Sequence, residues 1–256
     1  MTGELVVLTV SPGAFPGLAD RLRGLPVMVE ERPLLTFVPP LDWVPVDRAL
    51  RELRRYDALA FTSPRAAAAF IERYGATRRE TRGEGAPVPT VWSGGPGTTA
   101  ALAPLASPVR GAPEAGTGRV GAAAALAAAM LEAGVAGPVL FPCGEIRRDE
   151  LPTRLRHEGV VVDEVVCYRS ILANDAAARA AAEGAAIVVV ASPSVADLLA
   201  RVCRSGARPK LLAVGPTTAA AARVSGWAPA AVASRPDLES LLAGVRALLS
   251  ADLPVR

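Results

Sequence analysis

The chain has 256 residues, with 28 lysines and arginines against 25 aspartates and glutamates, which leaves a formal charge of +3. Hydrophobic residues make up 51%, which excludes a disordered chain, and the length leaves room for two small domains or one large one. A charge this small for the length excludes a strong nucleic-acid surface, which needs clustered basic side chains.

Short apolar runs alternate with alanine- and leucine-rich stretches along the chain. The apolar runs predict strands over residues 5–10, 27–29, 57–61, 90–93, 138–141, 160–162, 186–190 and 210–214. Helices are predicted over residues 15–23, from the turn at 62–64 through 74, from 98, over 148–157, after each of the last two strands, and over 238–249. Apolar strands separated by helices indicate parallel sheets that are covered on both faces.

Two stretches rich in glycine, proline or charge predict surface loops, at residues 77–89 and 110–119. The arginines of the first stretch, Arg78, Arg79 and Arg82, could contact an anion. Runs of charge usually lie in water, so a solvated loop is the favoured interpretation.

The cysteine and histidine content argues against disulfide and zinc chemistry. Cys143, Cys167 and Cys203 are far apart and form no CxxC pair, and His157 is the single histidine. We therefore expect a cytoplasmic chain without cofactor or metal. The first residues lack the basic region of a signal peptide, and the alanine-rich runs are broken before the ~20 residues of a membrane span, so neither feature is expected.

An internal repeat organises the chain. FTSPR at residues 61–65 is echoed by VASPS at 190–194, and GPGTTA at 95–100 is echoed by VGPTTA at 214–219. LTVSPG at 8–13 is echoed by LFPCG at 140–144. Each copy belongs to a strand–turn–helix unit, and the order along the chain is a, b, a′, b′. Two similar α/β lobes are implied.

The repeated turns all follow strands and open helices. A serine or threonine there accepts a hydrogen bond from a free helix N–H, and proline suits the first helical turn, so capping is one interpretation. The other is anion binding by the free N–H groups, because ligands of open parallel sheets bind beyond the carboxyl ends of the strands. Several such turns facing one cleft would suit a ligand with many carboxylates or phosphates.

Familiar catalytic sets are absent from the sequence. A single histidine gives no evident Ser-His-Asp set, and the glycine-rich residues 94–99 lack the lysine of a phosphate-binding loop. Cys143 follows a strand with no base nearby in sequence, so it is interpreted as a small turn residue rather than a nucleophile.

The ordered motifs resemble the uroporphyrinogen-III synthase family. The most specific stretch is residues 139–152 (VLFPCGEIRRDELP), which continues through Leu155 and Gly159 to Tyr168. Further matches are residues 61–66, 191–194, 213–219 and 233–241, so the resemblance covers nearly the whole chain. One departure is the end of the first strand, where residues 9–12 (TVSP) lack the family's usual arginine.

The resemblance implies an α/β fold of two flavodoxin-like lobes, each a parallel sheet flanked by helices, joined by two extended linkers. It assigns residues 1–36 and 171–256 to the first lobe and residues 41–166 to the second. The linkers are expected at residues 34–41 and 166–172. This assignment agrees with the a, b, a′, b′ order of the repeat.

The resemblance also implies an enzyme, a cyclising hydro-lyase. The family converts the linear tetrapyrrole hydroxymethylbilane to uroporphyrinogen III, without a cofactor, through a spiro intermediate that inverts ring D. The pathway leads to haem, sirohaem and cobalamin. The expected partners are this substrate and, transiently, the preceding pathway enzyme. A monomer that binds neither nucleic acid nor membrane is expected.

The family's site residues carry over to the repeated turns and to the second linker. Tyr168 matches the tyrosine proposed to assist the leaving hydroxyl, which a phenol can do as a hydrogen-bond donor; anchoring the hinge is the equal alternative. Substrate binding carries over to Thr62, Ser63, Arg65, Gly144, Arg147, Ser192, Ser194, Gly215, Thr217 and Thr218. Helix capping, or for the arginines an exposed helix position, is the alternative for these residues.

Two other functions stay open. The missing first-strand arginine and the lack of an acid–base pair would fit a non-catalytic, two-lobed protein that binds an anionic small molecule or a linear tetrapyrrole. A regulatory domain of response-regulator type ranks lower, because it needs an acidic cluster after the first strand and residues 10–12 (VSP) supply none.

Overall fold

The computed structural model describes residues 3–80, 87–105, 107–111, 121–203 and 208–250 of the chain. Its strands are β1 (Glu4–Leu8), β2 (Val27–Glu31), β3 (Leu35–Val38), β4 (Ala58–Phe61), β5 (Thr90–Ser93), β6 (Val109–Gly111), β7 (Val139–Gly144), β8 (Val162–Leu172), β9 (Ile187–Val190), β10 (Lys210–Ala213) and β11 (Ala231–Val232). Its α-helices are α1 (Leu18–Arg23), α2 (Val44–Arg51), α3 (Pro64–Glu80), α4 (Pro96–Leu102), α5 (Ala122–Glu132), α6 (Glu150–His157), α7 (Asp175–Ala182), α8 (Pro193–Val202), α9 (Pro216–Val224) and α10 (Leu238–Ser250). None of the helices in these ranges is long and apolar enough to cross a membrane.

The chain divides into two compact units. The N/C unit comprises Met1–Phe37 and Ile171–Arg256, and the middle unit comprises Val38–Ser170. The divisions fall inside β3 and inside β8, so the segments expected as linkers, 34–41 and 166–172, contain paired strands.

The sheet of the N/C unit has the strand order β11-β10-β9-β1-β2, and its neighbours pair in parallel. Counted along the chain within this unit, the order is 2-1-3-4-5, which is the flavodoxin-like order. The first two strands come from the beginning of the chain, and the other strands come from its last part.

The sheet of the middle unit has the order β3-β8-β7-β4-β5-β6, with parallel pairing from β8 through β6. If β7 and β8 are counted as strands 1 and 2, and β4, β5 and β6 as strands 3, 4 and 5, the same 2-1-3-4-5 order appears. β3 is an additional strand at the edge beside β8. The middle unit is therefore a permuted copy of the N/C arrangement. β1 and β2 correspond to β7 and β8, and β9–β11 correspond to β4–β6, as the a, b, a′, b′ repeat predicts.

Both faces of each sheet are covered by helices. Successive residues of a strand point to opposite faces, so neighbouring residues pack against different helices. In the N/C unit Val6 packs with α1 and α10, while Val7 packs with α7, α8 and α9. In the middle unit Leu59 packs with α2, α3 and α4, and Ala60 packs with α5 and α6. The predicted fold class, helices flanking the parallel sheets of two lobes, is confirmed.

The loop predicted at residues 77–89 is wrong at its start, because α3 continues to Glu80. Arg78 follows Tyr74 by one helical turn, and its guanidinium carbon lies 5.7 Å from the centroid of the Tyr74 ring. This cation–π contact holds a charged side chain on a helix surface. Arg82 lies outside the described residues, as do residues 112–119 of the second predicted loop, whereas Arg110 belongs to β6.

An ion pair between Asp47 and Arg73 joins α2 to α3. Both guanidinium nitrogens that face the carboxylate, Nε and Nη2, donate to it over 2.5 Å. The hydrogen bonds from Arg73 lower the pKa of Asp47 below its ordinary value, although burial opposes them. The pair is therefore expected to stabilise the middle unit while Asp47 is ionised.

We expect Asp47→Asn to lower the free energy of unfolding by about 1 kcal/mol at neutral pH, the upper end for partly exposed pairs. A carboxyl whose pKa is lower in the folded chain stabilises it above the unfolded-state pKa and loses this effect as the pH falls through the folded-state pKa. The difference between the native chain and the variant should therefore shrink below about pH 4. Denaturant unfolding across this pH range checks the prediction, with Asp20→Asn, at an exposed position, as control. A difference in unfolding free energy that stays constant with pH would contradict it.

Candidate active site

A cleft of about 290 Å³ opens in the middle unit, at the carboxyl ends of β4, β5 and β7. Turns that follow parallel strands meet at this edge of a sheet, where ligands of open α/β sheets bind. Predicted site residues in the cleft are Thr62, Ser63, Gly144, Arg147 and Tyr168. The other lining residues are Gly94, Ala122, Ala123, Cys143, Ile146, Arg148 and Glu150.

The Tyr168 phenol is held beside Ser63. Tyr168 lies on β8, and its phenolic oxygen is 3.3 Å from Ser63 Oγ, with either atom able to donate. Ser63 Oγ also accepts from the N–H of Ala66 over 3.3 Å. The Ser63 hydroxyl thus caps α3 and contacts the phenol. Capping is confirmed at this turn, and ligand binding stays a prediction.

The backbone between β7 and β8 aims Tyr168 at this edge. Cys143 pairs with Val166, but Gly144 pairs with Tyr168, so Cys167 is skipped by a bulge. A bulge bends its strand and redirects a side chain, and bulges are frequent next to active sites. The N–H of Glu145 donates to the carbonyl oxygen of Tyr168 over 2.9 Å, which closes the pairing.

Arg147 is paired with a carboxylate within the middle unit. Its Nε donates to Glu164 Oε2, and Arg156 Nη2 lies 2.9 Å from Glu164 Oε1. The Glu164 side chain is only 15% exposed, so one carboxylate holds two guanidinium groups. Arg148 lines the cleft beside them and forms no hydrogen bond or ion pair to another described residue. Arg148 is therefore better placed than Arg147 to meet a carboxylate of a ligand.

Arg65 differs from the other predicted residues of this unit. It lies in the first turn of α3, is exposed, and is outside the residues that line the cleft. Its guanidinium is near enough to Tyr168 for the two groups to interact electrostatically. It flanks the cleft without forming its wall.

Cys143 is a strand residue at the end of β7, so its interpretation as a turn residue is wrong. Its thiol is buried and contacts the carbonyl oxygen of Val165 at 3.6 Å. Burial raises the pKa of the Cys143 thiol to about 12. The thiol is therefore protonated at neutral pH and is not an activated nucleophile.

The remaining predicted residues lie in the N/C unit, at the carboxyl ends of β9 and β10. Ser192 precedes α8 but its side chain does not cap that helix; its hydroxyl lies 2.9 Å from that of Ser194 instead. The first N–H groups of α8 therefore receive no capping hydrogen bond from the side chain of Ser192. Gly215 precedes α9, Thr217 is exposed, and Thr218 is 3% exposed.

The helix starts of α4 and α9 match one another in detail. In each, a glycine with an extended backbone precedes a proline, and a threonine two residues after that proline is buried. Thr98 corresponds to Thr218 in this alignment, so Gly97 takes the place of Thr217. Thr98 and Thr218 are buried at their helix ends, whereas Thr217 at the start of α9 is exposed.

Glu164, which holds Arg147 beside the cleft, is a side chain that sequence reasoning missed. It lies on β8 before the bulge at Cys167, so the alternation of side chains along the strand does not extend unbroken from Glu164 to Tyr168. Strand periodicity therefore gives no signal that Glu164 lies beside the site. The apolar pattern predicts a strand over residues 160–162 only, so the predicted strand ends before Glu164.

Comparisons with known proteins agree with this architecture. The family model described as uroporphyrinogen-III synthase HemD matches residues 17–243. A search of curated proteins gives no match. Among solved structures, a mutant uroporphyrinogen III synthase from the extreme thermophile Thermus thermophilus matches with a TM-score of 0.66 at 16% identity, over 98% of this chain and 100% of that one.

A second solved structure, the uroporphyrinogen-III synthetase from Helicobacter pylori, matches with a TM-score of 0.58 at 18% identity. This match covers 97% of this chain and 100% of that one. At identities this low, the two structural matches show a shared fold and nothing more. The family model adds a match in sequence over residues 17–243. The chain belongs to the uroporphyrinogen-III synthase family.

Proposed function

We propose that the chain is a uroporphyrinogen-III synthase, a cyclising hydro-lyase that converts hydroxymethylbilane to uroporphyrinogen III. The observation that carries this function is the Tyr168 phenol, held beside Ser63 in a cleft at the carboxyl ends of parallel strands, in a chain of this family. The cleft offers hydroxyl donors, cations and backbone N–H groups, which suit a substrate with many carboxylates.

The reaction begins with loss of the substrate's hydroxyl group as water. Tyr168 hydrogen-bonds to this hydroxyl and supplies its proton, which leaves an azafulvene cation on the substrate. When Ser63 donates to the phenolic oxygen, the phenolic O–H is directed at the substrate. The phenolate recovers a proton when the rearranged macrocycle loses one, so the net products are uroporphyrinogen III and water.

Ring closure is governed by orientation. The azafulvene carbon bonds to the substituted position of ring D, and the spiro intermediate then fragments and closes again with ring D inverted. Direct closure needs no enzyme and yields uroporphyrinogen I, so the protein must favour the spiro geometry over the direct one. Tyr168 acts on the leaving group, and the other site residues hold the carboxylates that fix the chain of pyrroles.

A net charge of +3 is small for a substrate with so many carboxylates. Free N–H groups at helix N-termini supply part of the binding, because the helix dipole favours negative charge there. In the middle unit Thr62, Ser63 and Gly144 contribute hydroxyl and backbone groups, and Arg148, Arg147 and Arg65 contribute charge. In the N/C unit the substrate-binding residues are Ser192, Ser194, Gly215, Thr217 and Thr218.

The wider setting follows from the same function. The two units act as the two lobes of a monomeric, cytoplasmic enzyme that needs no metal or cofactor. Its partner is hydroxymethylbilane, delivered by the preceding pathway enzyme in a transient encounter. The described residues include no cluster of side chains that could hold a metal ion.

An isomer assay tests the proposed function directly. Hydroxymethylbilane, generated by the preceding enzyme, is incubated with the purified chain, and the oxidised products are separated by isomer. We expect isomer III to dominate. Isomer I alone, formed at the spontaneous rate, would overturn the enzymatic function, and tight binding of the linear tetrapyrrole in that case would favour the non-catalytic binding protein.

Removing the Ser63 hydroxyl should weaken the site modestly. We expect Ser63→Ala to lower kcat/KM about fivefold, since a typical net hydrogen bond contributes about 1 kcal/mol. Thr77→Ala is the matched control, because its hydroxyl donates to Arg73 within the same helix and lies outside the cleft lining. Initial rates of uroporphyrinogen III formation check this. A loss far above tenfold would mean that Ser63 contacts the reacting atoms rather than the phenol and carboxylates.

A further inference from the structure

Gly144 lies closer to the Tyr168 side chain than any other residue type would allow. A Cβ built on Gly144 would lie 2.6 Å from Cζ, 2.7 Å from Oη and 2.9 Å from Cε2 of Tyr168. Unbonded carbon atoms prefer separations of about 3.5–4.0 Å. The hydroxyl end of the phenol therefore occupies the space in which a side chain at position 144 would lie.

The backbone conformation does not by itself require glycine at this position. Gly144 lies in β7 and does not adopt a positive φ, unlike glycines such as Gly134 and Gly159. The physical reason for a glycine at position 144 is therefore the space that the Tyr168 phenol occupies. The bulge opposite Gly144 brings Tyr168 into register with it, and Ser63 limits the phenol from another side.

We propose that Gly144 is a positioning residue for Tyr168, and that the absence of a side chain at position 144 sets where the phenolic hydroxyl lies in the cleft. The role rests on the proposed function, in which Tyr168 assists loss of the substrate's hydroxyl. Any side chain at position 144 pushes the phenol away from Ser63 and from the leaving group. Substrate that is not cyclised promptly then closes spontaneously, so isomer I accumulates.

The same cleft provides a matched control. Gly94 also lines it, but a Cβ on Gly94 would lie 3.5 Å from its nearest neighbours, the Phe61 carbonyl oxygen and Thr62. That is ordinary van der Waals contact. Gly144→Ala and Gly94→Ala therefore add the same methyl group to the same cleft, and only the first displaces Tyr168.

Two measurements report on the displacement. The first is steady-state kinetics with isomer analysis. We expect Gly144→Ala to lower kcat by about 10²-fold, the scale of loss for a misplacement near 1 Å, while KM changes little. Gly75→Ala adds the same methyl group to α3, outside the cleft lining, where its Cβ would lie 3.5 Å from Arg79 Nη1, and it should leave kcat and the isomer ratio close to those of the native chain.

The second measurement is fluorine NMR of chain labelled with meta-fluorotyrosine, which needs no substrate. The chain has three tyrosines, and Tyr168→Phe identifies the resonance of Tyr168. Gly144→Ala should move that resonance and Gly94→Ala should not. An unmoved resonance, or a moved one with native kcat, would overturn the positioning role. If the native chain forms no isomer III, the proposed function fails, whereas the resonance still tests the contact.

A double variant separates displacement from misfolding. In a Tyr168→Ala background the ring is gone, so Gly144→Ala should cause no further change in kcat or in the unfolding midpoint. If Gly144→Ala alone does not fold, the chain with both substitutions should fold, because the colliding ring is absent. A double variant that is also unfolded would overturn the inference.

Discussion

We expect Tyr168→Phe to lower kcat for uroporphyrinogen III formation by about 10²-fold, with little change in KM. General-acid assistance typically contributes 10²–10⁴-fold, and a phenylalanine keeps the ring while removing the proton donor. The ring continues to lie over Gly144, so the substitution tests the hydroxyl alone. Ser63 loses a partner at 3.3 Å, which adds only a small further effect.

Tyr74→Phe is the matched control for this experiment. Tyr74 lies on α3 in the same unit, its ring stacks on Phe70 with centroids 6.5 Å apart, and it does not line the cleft. Its kcat should equal that of the native chain. The residual product of Tyr168→Phe should contain more isomer I, because unreacted substrate closes without the enzyme. Native kcat in Tyr168→Phe would remove the residue from the chemistry and leave it a structural role.

The strands that the sequence predicts well are those buried on both faces. β9 is apolar at every position, and its predicted range of 186–190 differs from Ile187–Val190 by one residue. For β8 the sequence predicts only 160–162, because polar residues interrupt the apolar pattern. In the structure those residues are satisfied by partners far away in the sequence, as when Asp163 accepts from Tyr56 over 2.9 Å. Apolar periodicity cannot register such pairs.

Several elements lack a signal that periodicity can detect. β3 consists of half-buried residues between prolines, a pattern that is equally typical of an extended linker. α5 is mostly alanine, which favours a helix by propensity but gives no amphipathic stripe. The end of α3 carries arginines that pattern rules assign to a solvated loop. Tertiary context and local ring contacts decide these segments.

The repeat outlines the site, since strand–turn–helix units recur with serine, threonine and glycine at each turn. It does not identify the partners of each side chain. The sequence predicts Arg147 as a substrate-binding residue but gives no sign that Glu164 holds its guanidinium. It also predicts that Gly144 binds substrate, while the distance from Gly144 to Tyr168 is invisible in the sequence. Close approaches of this kind depend on strand register, which a bulge shifts by one residue.

The largest stability effect in the middle unit is expected from Phe61→Ala. Phe61 is the last residue of β4, is fully buried, and meets the ring of Phe70 edge to face with centroids 5.4 Å apart. Truncating a buried phenylalanine typically costs 3–5 kcal/mol, through lost apolar burial and the cavity that remains. We expect a loss of about 4 kcal/mol in the free energy of unfolding of this unit.

The position of Phe61 links this stability to the site. Its carbonyl oxygen accepts from the N–H of Gly94 over 2.8 Å, and Thr62 and Ser63 follow it directly. Hydrogen exchange should therefore speed up in β4 and β5 and remain native in β9 and β10, because the lost contacts all belong to the middle unit. Phe61→Leu is the control and should lose far less, since it leaves a smaller cavity. If the unfolding free energy of Phe61→Ala lies within about 1 kcal/mol of the native value, the prediction is wrong. Neighbouring side chains would then have filled the cavity, and the end of β4 before Thr62 and Ser63 would not depend on this ring.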